Sequence, residues 1–129
     1  MTPIRGRCLC GSIRYSLMQT PDNYQFCYCD TCRRAHASAF SVGATIASQN
    51  FVLDQGQELL SYFESSPGKR RYFCRHCGTH LYAWRPAQPE ALRLRIATLD
   101  TPPPMHFAGH LYAEEQPQWY RQATAGATD

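Results

Sequence analysis

Seven of the 129 residues are cysteines, and they fall into three groups: Cys8-Leu9-Cys10-Gly11, Cys27-Tyr28-Cys29-Asp30-Thr31-Cys32 and Cys74-Arg75-His76-Cys77-Gly78. Thiolates at such spacings are ligands for soft or borderline metal ions, zinc above all, and not for hard cations. Residues i and i+2 of a strand share a face, so Cys8 and Cys10 are expected to offer two sulfurs together. Cys74 to Gly78 reads as a knuckle, with Gly78 free to take the backbone angles a tight turn demands. The two pairs compose a four-thiolate set, while the middle group packs three thiolates into six residues and has no fourth cysteine. Structural zinc sites are closed by four protein ligands, and catalytic ones keep three and an open position. The pattern therefore predicts two zinc ions, one structural on Cys8, Cys10, Cys74 and Cys77, the other catalytic on Cys27, Cys29 and Cys32. A zinc ribbon of Cys29, Cys32, Cys74 and Cys77 ranks second, because its gap of 41 residues exceeds the usual ~15–20. A reduced set without metal ranks third.

An ion held by three thiolates is a weak Lewis acid, and its better use is to hold a fourth, substrate thiol as a nucleophilic thiolate. The alternative is polarisation of a substrate oxygen by the metal while a neighbouring base takes the thiol proton. Arg33 and Arg34 follow Cys32 and are candidate contacts for a carboxylate of such a thiol, against the plainer reading of a solvated charged face. His36, four residues after Cys32, would close the second set as Cys₃His if it faced the metal. His76 is expected to be exposed, and His80 to be a core group or a support to the site. His110 is a candidate base whose plainer role is structural. Tyr24, Phe26, Tyr28 and Phe40 flank the middle group, as pocket wall or as core.

Around these residues the chain must supply a scaffold. Its length suits one core, and nine prolines and eight glycines argue for short strands and many turns. The expected compartment is the cytoplasm: Met1 to Cys8 has no apolar run, and no stretch approaches the ~20 apolar residues of a membrane span. Reducing conditions there favour metal ligation over disulfides. The formal charge of +3 arises from 13 basic and 10 acidic residues, twelve of the basic ones arginine. Seven thiolates and two divalent ions would bring it to roughly zero, so charge gives no case for nucleic acid, although arginines interleaved with aromatics would permit base stacking.

Strands are predicted at residues 13–17, 40–46, 51–53, 59–63, 71–73, 81–84, 92–99 and 110–112, with Ser65 to Gly68 joining two of them at hairpin spacing. One helix is predicted over residues 30–39, capped by Asp30 or Thr31. Residues 1–120 read as a single zinc-binding domain and residues 121–129 as a tail expected to fray.

Gly6-Arg7-Cys8-Leu9-Cys10-Gly11, Cys27 to Arg34 with Ser38-Ala39-Phe40, Phe73 to Thr79, Thr98-Leu99-Asp100, and His110 with Pro117 and Trp119 resemble, in order and spacing, the glutathione-dependent formaldehyde-activating enzymes, a group that includes centromere protein V. The resemblance spans most of the chain. It implies a mostly β fold of small coiled antiparallel sheets built around the four-cysteine zinc site, with one short helix at most, and the same division of structural and catalytic ligands. The implied activity is that of S-(hydroxymethyl)glutathione synthase, addition of glutathione to formaldehyde, formally a carbon-sulfur lyase run in reverse. Ala37 and Ala97 depart from the family, in which glycine is usual at the first place and common at the second. A methyl group at Ala37 would be expected to narrow the approach to the open metal. The competing classes are a non-catalytic zinc module with both sites closed, and a thiol redox or metal-buffering protein.

Overall fold

In the computed structural model, residues 3–126 are described. The chain runs β1 (Ile4–Arg7), β2 (Arg14–Leu17), β3 (Asn23–Cys27), α1 (Asp30–His36), β4 (Ser41–Ala47), β5 (Phe51–Gln55), β6 (Leu60–Ser66), β7 (Lys69–Cys74), β8 (His80–Trp84), β9 (Ala91–Arg95), β10 (His106–Leu111) and α2 (Gln118–Gly126). The fold is mostly β, as expected. A three-stranded antiparallel sheet has the order β1-β2-β5, and a seven-stranded sheet the order β10-β3-β4-β9-β8-β7-β6. All pairings in the larger sheet are antiparallel except β10 with β3. The hairpin expected at Ser65 to Gly68 is β6–β7, turning through Pro67 and Gly68 between the paired Ser66 and Lys69.

Strand register separates the two faces of the larger sheet. Tyr72, Tyr82, Leu94 and Ala44 lie in one row across β7, β8, β9 and β4. Tyr82 and Leu94 of that row join Ile13, Tyr15, Leu17, Ile46, Leu81, Leu92 and Leu99 in a core fed by both sheets. The next row, on the opposite face because side chains alternate along a strand, holds Arg71, Ala83, Arg93 and Thr45. Short helix α1 lies over this second face, where Arg71 reaches Cys32.

Several motif residues act on this packing. Tyr15 is fully buried, stacks on Phe51 with ring centroids 4.9 Å apart and shares a 2.6 Å hydrogen bond with Thr98. Its ring occupies the place where a Cβ on Gly6 would stand, so only glycine fits there. Thr98 also donates to the Arg95 carbonyl, Leu99 is buried, and the Asp100 N–H donates to the Arg5 carbonyl. Thr98-Leu99-Asp100 thus ties the end of β9 to β1.

The structure corrects five local expectations. Cys8 and Cys10 lie in the turn after β1, not in a strand. Residues 92–99 do not form one strand, because β9 ends at Arg95 and a 3-10 turn follows over Ile96–Thr98. Strands β1 and β3 were not anticipated: glycine interrupts the first, and the second reads as aromatic pocket wall. The helix cap is Cys29, whose sulfur accepts from the Cys32 N–H, instead of Asp30 or Thr31. Residues 121–126 belong to α2, a second helix where fraying was expected, and residues 127–129 lie outside the described region. Pro117 starts α2, its carbonyl accepting from the Tyr120 and Arg121 N–H groups, and proline suits a first helical turn. Tyr120 then packs on Tyr28 and Phe40. Among the described residues no helix is long and apolar enough to cross a membrane.

Gly6→Ala is expected to destabilise the chain by about 1–3 kcal/mol, read from urea denaturation, because a methyl group there displaces a buried ring.

Candidate functional site

The sulfurs of Cys8, Cys10, Cys74 and Cys77 lie within 4.8 Å of one another. The Cys8–Cys10 and Cys10–Cys74 separations are 3.5 and 3.9 Å. A tetrahedron with Zn–S bonds near 2.3 Å has edges of about 3.8 Å, so the set has the dimensions of a four-thiolate zinc site. Local structure explains the convergence. Gly78, at φ 81°, donates its N–H to the Cys74 carbonyl at 2.7 Å and closes the knuckle. The Leu9 N–H donates to Thr79 Oγ1 at 3.0 Å, and Thr79 Oγ1 lies 3.3 Å from Cys77 Sγ, which docks the first turn on the second. Cys8 and Cys74 belong to the hydrophobic core.

Cys27, Cys29 and Cys32 form the second set, again with sulfurs within 4.8 Å, and among the described residues the group comprises these three alone. Cys27 ends β3, Cys29 caps α1, and Cys32 is buried on the first turn of that helix. Arg71 Nη2 donates to Cys32 Sγ at 3.5 Å, and Arg71 Nε to Ser65 Oγ at 2.9 Å. The hydrogen bond from Cys27, with Ser41, Arg71 and the Arg71 charge adding to it, holds the Cys32 thiol down to about 3 against the opposing effect of burial. Cys27 shifts upward, through its hydrogen bond to Cys32 and then through burial. Within the pair, Cys32 is the thiolate end. Cys29 and Cys32 are not joined to Cys74 and Cys77, as a zinc ribbon would require.

A cleft of about 380 Å³ lies beside this set, lined by Thr31, Arg34 and Ala35 of α1 and by Phe63, Ser65, Arg71, Phe73 and His80 of the sheet. Arg34 therefore reaches the cleft, although its Nε is paired with both Asp30 oxygens at 3.0 Å. Arg33 is turned to the Tyr28 carbonyl and Asp30 and does not line the cleft. His36 does not join the three sulfurs; it is half-buried against His80, ring centroids 4.7 Å apart. Burial, the Arg95 charge and His80 push its proton affinity down to about 3, and burial lowers that of His80 as well. His110 Nδ1 is 2.8 Å from Tyr28 Oη, inside an aromatic cluster with Phe26 and Phe107, so its role is structural. Tyr24, Phe26, Tyr28 and Phe40 belong to that cluster and line no part of the cleft.

Ala37 does not narrow the site. It is exposed, and its methyl group is absent from the cleft lining. Its backbone is the anomaly: Ala37 closes α1 at φ 49°, ψ 48°, the left-handed conformation for which glycine is preferred. Ala97 is exposed in the 3-10 turn without such strain. The residue the sequence reading missed is Arg71. Its signal was an arginine inside the aromatic strand Arg71-Tyr72-Phe73, with no acid near it in sequence.

The family model of the glutathione-dependent formaldehyde-activating enzymes matches residues 3–115. The chain belongs to that family. A relative from Halomonas elongata, provisionally named as such an enzyme, is 29% identical over 128 residues, covering 90% of this chain and 78% of its own. An uncharacterized lyase of Schizosaccharomyces pombe is 32% identical over 82 residues, which are 64% of this chain and 58% of the yeast protein. A Podospora anserina member, also provisionally named, is 27% identical over 59% of this chain, but the match spans only 37% of that protein. The chain thus spans less than two thirds of these fungal family members. A Rhodobacter sphaeroides crystal structure shares the fold with a TM-score of 0.64 at 23% identity, covering 81% of this chain and 99% of that one.

Two measurements check the local physics. Ala37→Gly should raise stability by about 0.5–1 kcal/mol in urea denaturation, by relieving the left-handed alanine. The unfolded chain takes up a proton on His36 near pH 6.5 that the folded chain refuses until about 3. Stability is then full above pH 6.5 and falls as pH drops toward 3. His36→Leu should flatten that decline between pH 6.5 and 5.

Proposed function

We propose that the chain is a zinc-dependent carbon-sulfur lyase working in the synthetic direction, joining glutathione or a related thiol to formaldehyde or another small aldehyde. In this reading Cys8, Cys10, Cys74 and Cys77 hold a structural zinc, and Cys27, Cys29 and Cys32 hold a catalytic one. The observation that carries it is a three-sulfur set to which, among the described residues, no fourth ligand is joined, beside the cleft that Arg71 lines. A zinc ion held by Cys27, Cys29 and Cys32 would supply the positive charge that favours the thiolate form of a substrate thiol at neutral pH.

The chain's own residues do the rest. Arg71 donates to Cys32 and fixes that sulfur from below the helix. The Cys32 N–H donates to Cys29 Sγ at 3.3 Å, which keeps Cys29 oriented toward its partners. Phe63 and Phe73 give the cleft apolar walls. His80, kept neutral by burial, lines the same cleft and can take the thiol proton and return it to the alcohol oxygen of the product. In balance, the thiol S–H and the aldehyde C=O become an S–C bond and an O–H. The family assignment and the lyase name of the yeast relative support this chemistry. The cytoplasm suits it, because seven free thiols persist in a reducing compartment.

Metal analysis with zinc-edge X-ray absorption tests the reading. Two zinc atoms per chain are expected, one gaining a sulfur neighbour when glutathione is added; two unchanged environments would withdraw the enzyme in favour of a structural zinc module. Cys29→Ser should release one zinc and abolish activity while leaving the sheets folded, because serine still caps α1. Cys77→Ser should unfold the chain. Equal damage from both would contradict the division of roles.

A further inference from the structure

A second cavity, of about 170 Å³, lies where β4, β7, β8 and β9 run side by side, and it shares no residue with the cleft beside the three cysteines. Three of its lining residues are cations, Lys69, Arg85 and Arg93, and none is an acid. Register puts Ala83, Arg93 and Thr45 in one row, and alternation along β7 brings Lys69 to the same face. Among the described residues the ion pairs are those of Arg7, Arg33 and Arg34, so the three cations have no carboxylate partner.

The cavity wall is built to hold Arg93 in place. Gly43 makes room for it, since a Cβ there would come within 2.8 Å of Arg93 Nε. Arg93 Nη1 donates to Gln25 Oε1 at 2.9 Å and to Thr45 Oγ1 at 3.2 Å, while Nη2 is buried with no hydrogen-bond partner. Thr45 Oγ1 accepts that bond and keeps its own proton to donate. Lys69 is half-buried, and its proton affinity is lowered by burial and by the charges of Arg71, Arg95 and Arg85, with Cys32 opposing. Like charges drawn together out of water call for a counter-charge. Ala83 between them supplies no polar group, and the chain supplies no acid.

The geometry points to a binding site for a small tetrahedral oxyanion, inorganic phosphate or the phosphate of a monoester, held by Lys69, Arg85 and Arg93 with the Thr45 hydroxyl as a further donor. A phosphate group carries about −1.5 to −2 at neutral pH and accepts hydrogen bonds on three oxygens, which offsets most of three cations and uses several donors. A carboxylate brings less charge, and chloride cannot engage the planar fork of an arginine. The cavity is large enough for several waters, hence for an ion of five heavy atoms. Arg85 and Gln88 at its rim are exposed, which leaves room for the organic part of an ester. The site needs neither the three cysteines nor a metal on them.

Calorimetry on the zinc-loaded protein at constant ionic strength should show saturable phosphate binding with a Kd of about 1 mM or tighter, and none for chloride. Lys69→Met and Arg85→Gln should each weaken it at least about tenfold; Arg85 is exposed, so its replacement leaves the core untouched. Lys69 is the one lysine in the sequence, so acylation of its amine, followed by peptide mass spectrometry, reads the cavity in the unaltered chain. Phosphate should protect Lys69, and chloride should not. Absence of both saturable binding and protection overturns the site. Phosphate binding that both variants leave unchanged lies elsewhere, on the metal for instance, and overturns it too. Equal protection by succinate, a carboxylate dianion, would reduce the cavity to a general anion patch and overturn the assignment to phosphate. Glycerol 3-phosphate binding as tightly as phosphate assigns the site to phosphate esters, and its exclusion assigns the site to the free ion; either result upholds it.

Discussion

The structure depends first on the meeting of two turns distant in sequence. Cys10 and Cys74 are separated by 64 residues, yet their sulfurs are 3.9 Å apart. One turn leaves β1 of the small sheet and the other joins β7 to β8 of the large one. Their junction ties the two sheets together over the core that Cys8 and Cys74 themselves enter. Four thiolates so close repel one another, so this junction is stable only with a cation inside it or with most of the thiols protonated. The knuckle geometry, with Gly78 at positive φ and Thr79 joining both turns, makes the first arrangement ready without rearrangement of the backbone. An ion there links folding of the small sheet to folding of the large one.

The second sheet face answers a different demand. A sheet that packs on both sides usually buries apolar residues on both, but here the outer row holds arginines under a seven-residue helix. Small partners make room for them: Gly43 under Arg93, and Ala83 between Arg71 and Arg93. Because water is largely excluded, the field of these cations is felt strongly by the sulfurs of α1 and β3. Their orientation is also fixed, by Ser65, Ser41, Gln25 and Thr45. A rigid, positively charged floor is therefore built into the sheet itself, and the loops contribute little to it.

The cysteine groups were legible because ligand spacing is a local property, and the sets converge as the spacing suggested. So were the strands whose apolar residues alternate cleanly, from β4 to β8. What escaped was set by tertiary contact. Strand β3 has exposed polar residues at Asn23 and half-buried ones up to Phe26, a pattern that becomes a strand only when β4 and β10 lie on either side. The helix α2 is short and polar on average, and owes its place to Tyr120 against Tyr28. Arg71 and Arg93 were passed over, because an arginine in a strand reads as solvent-facing until the element that covers it is known. Ala37 stood out against the family's glycine, but its meaning was a backbone angle and not a steric barrier.

Cys29 carries two duties through one atom. Its sulfur belongs to the three-cysteine set and also accepts the Cys32 N–H in the first turn of α1. Serine or aspartate could keep the helix start but not the soft ligand, and histidine the ligand but not the cap. Mutational drift at this position is accordingly confined on two independent counts. The same coupling makes α1 a reporter of thiol chemistry: oxidation or alkylation of Cys29 would be registered as unwinding of the helix that covers the cationic sheet face.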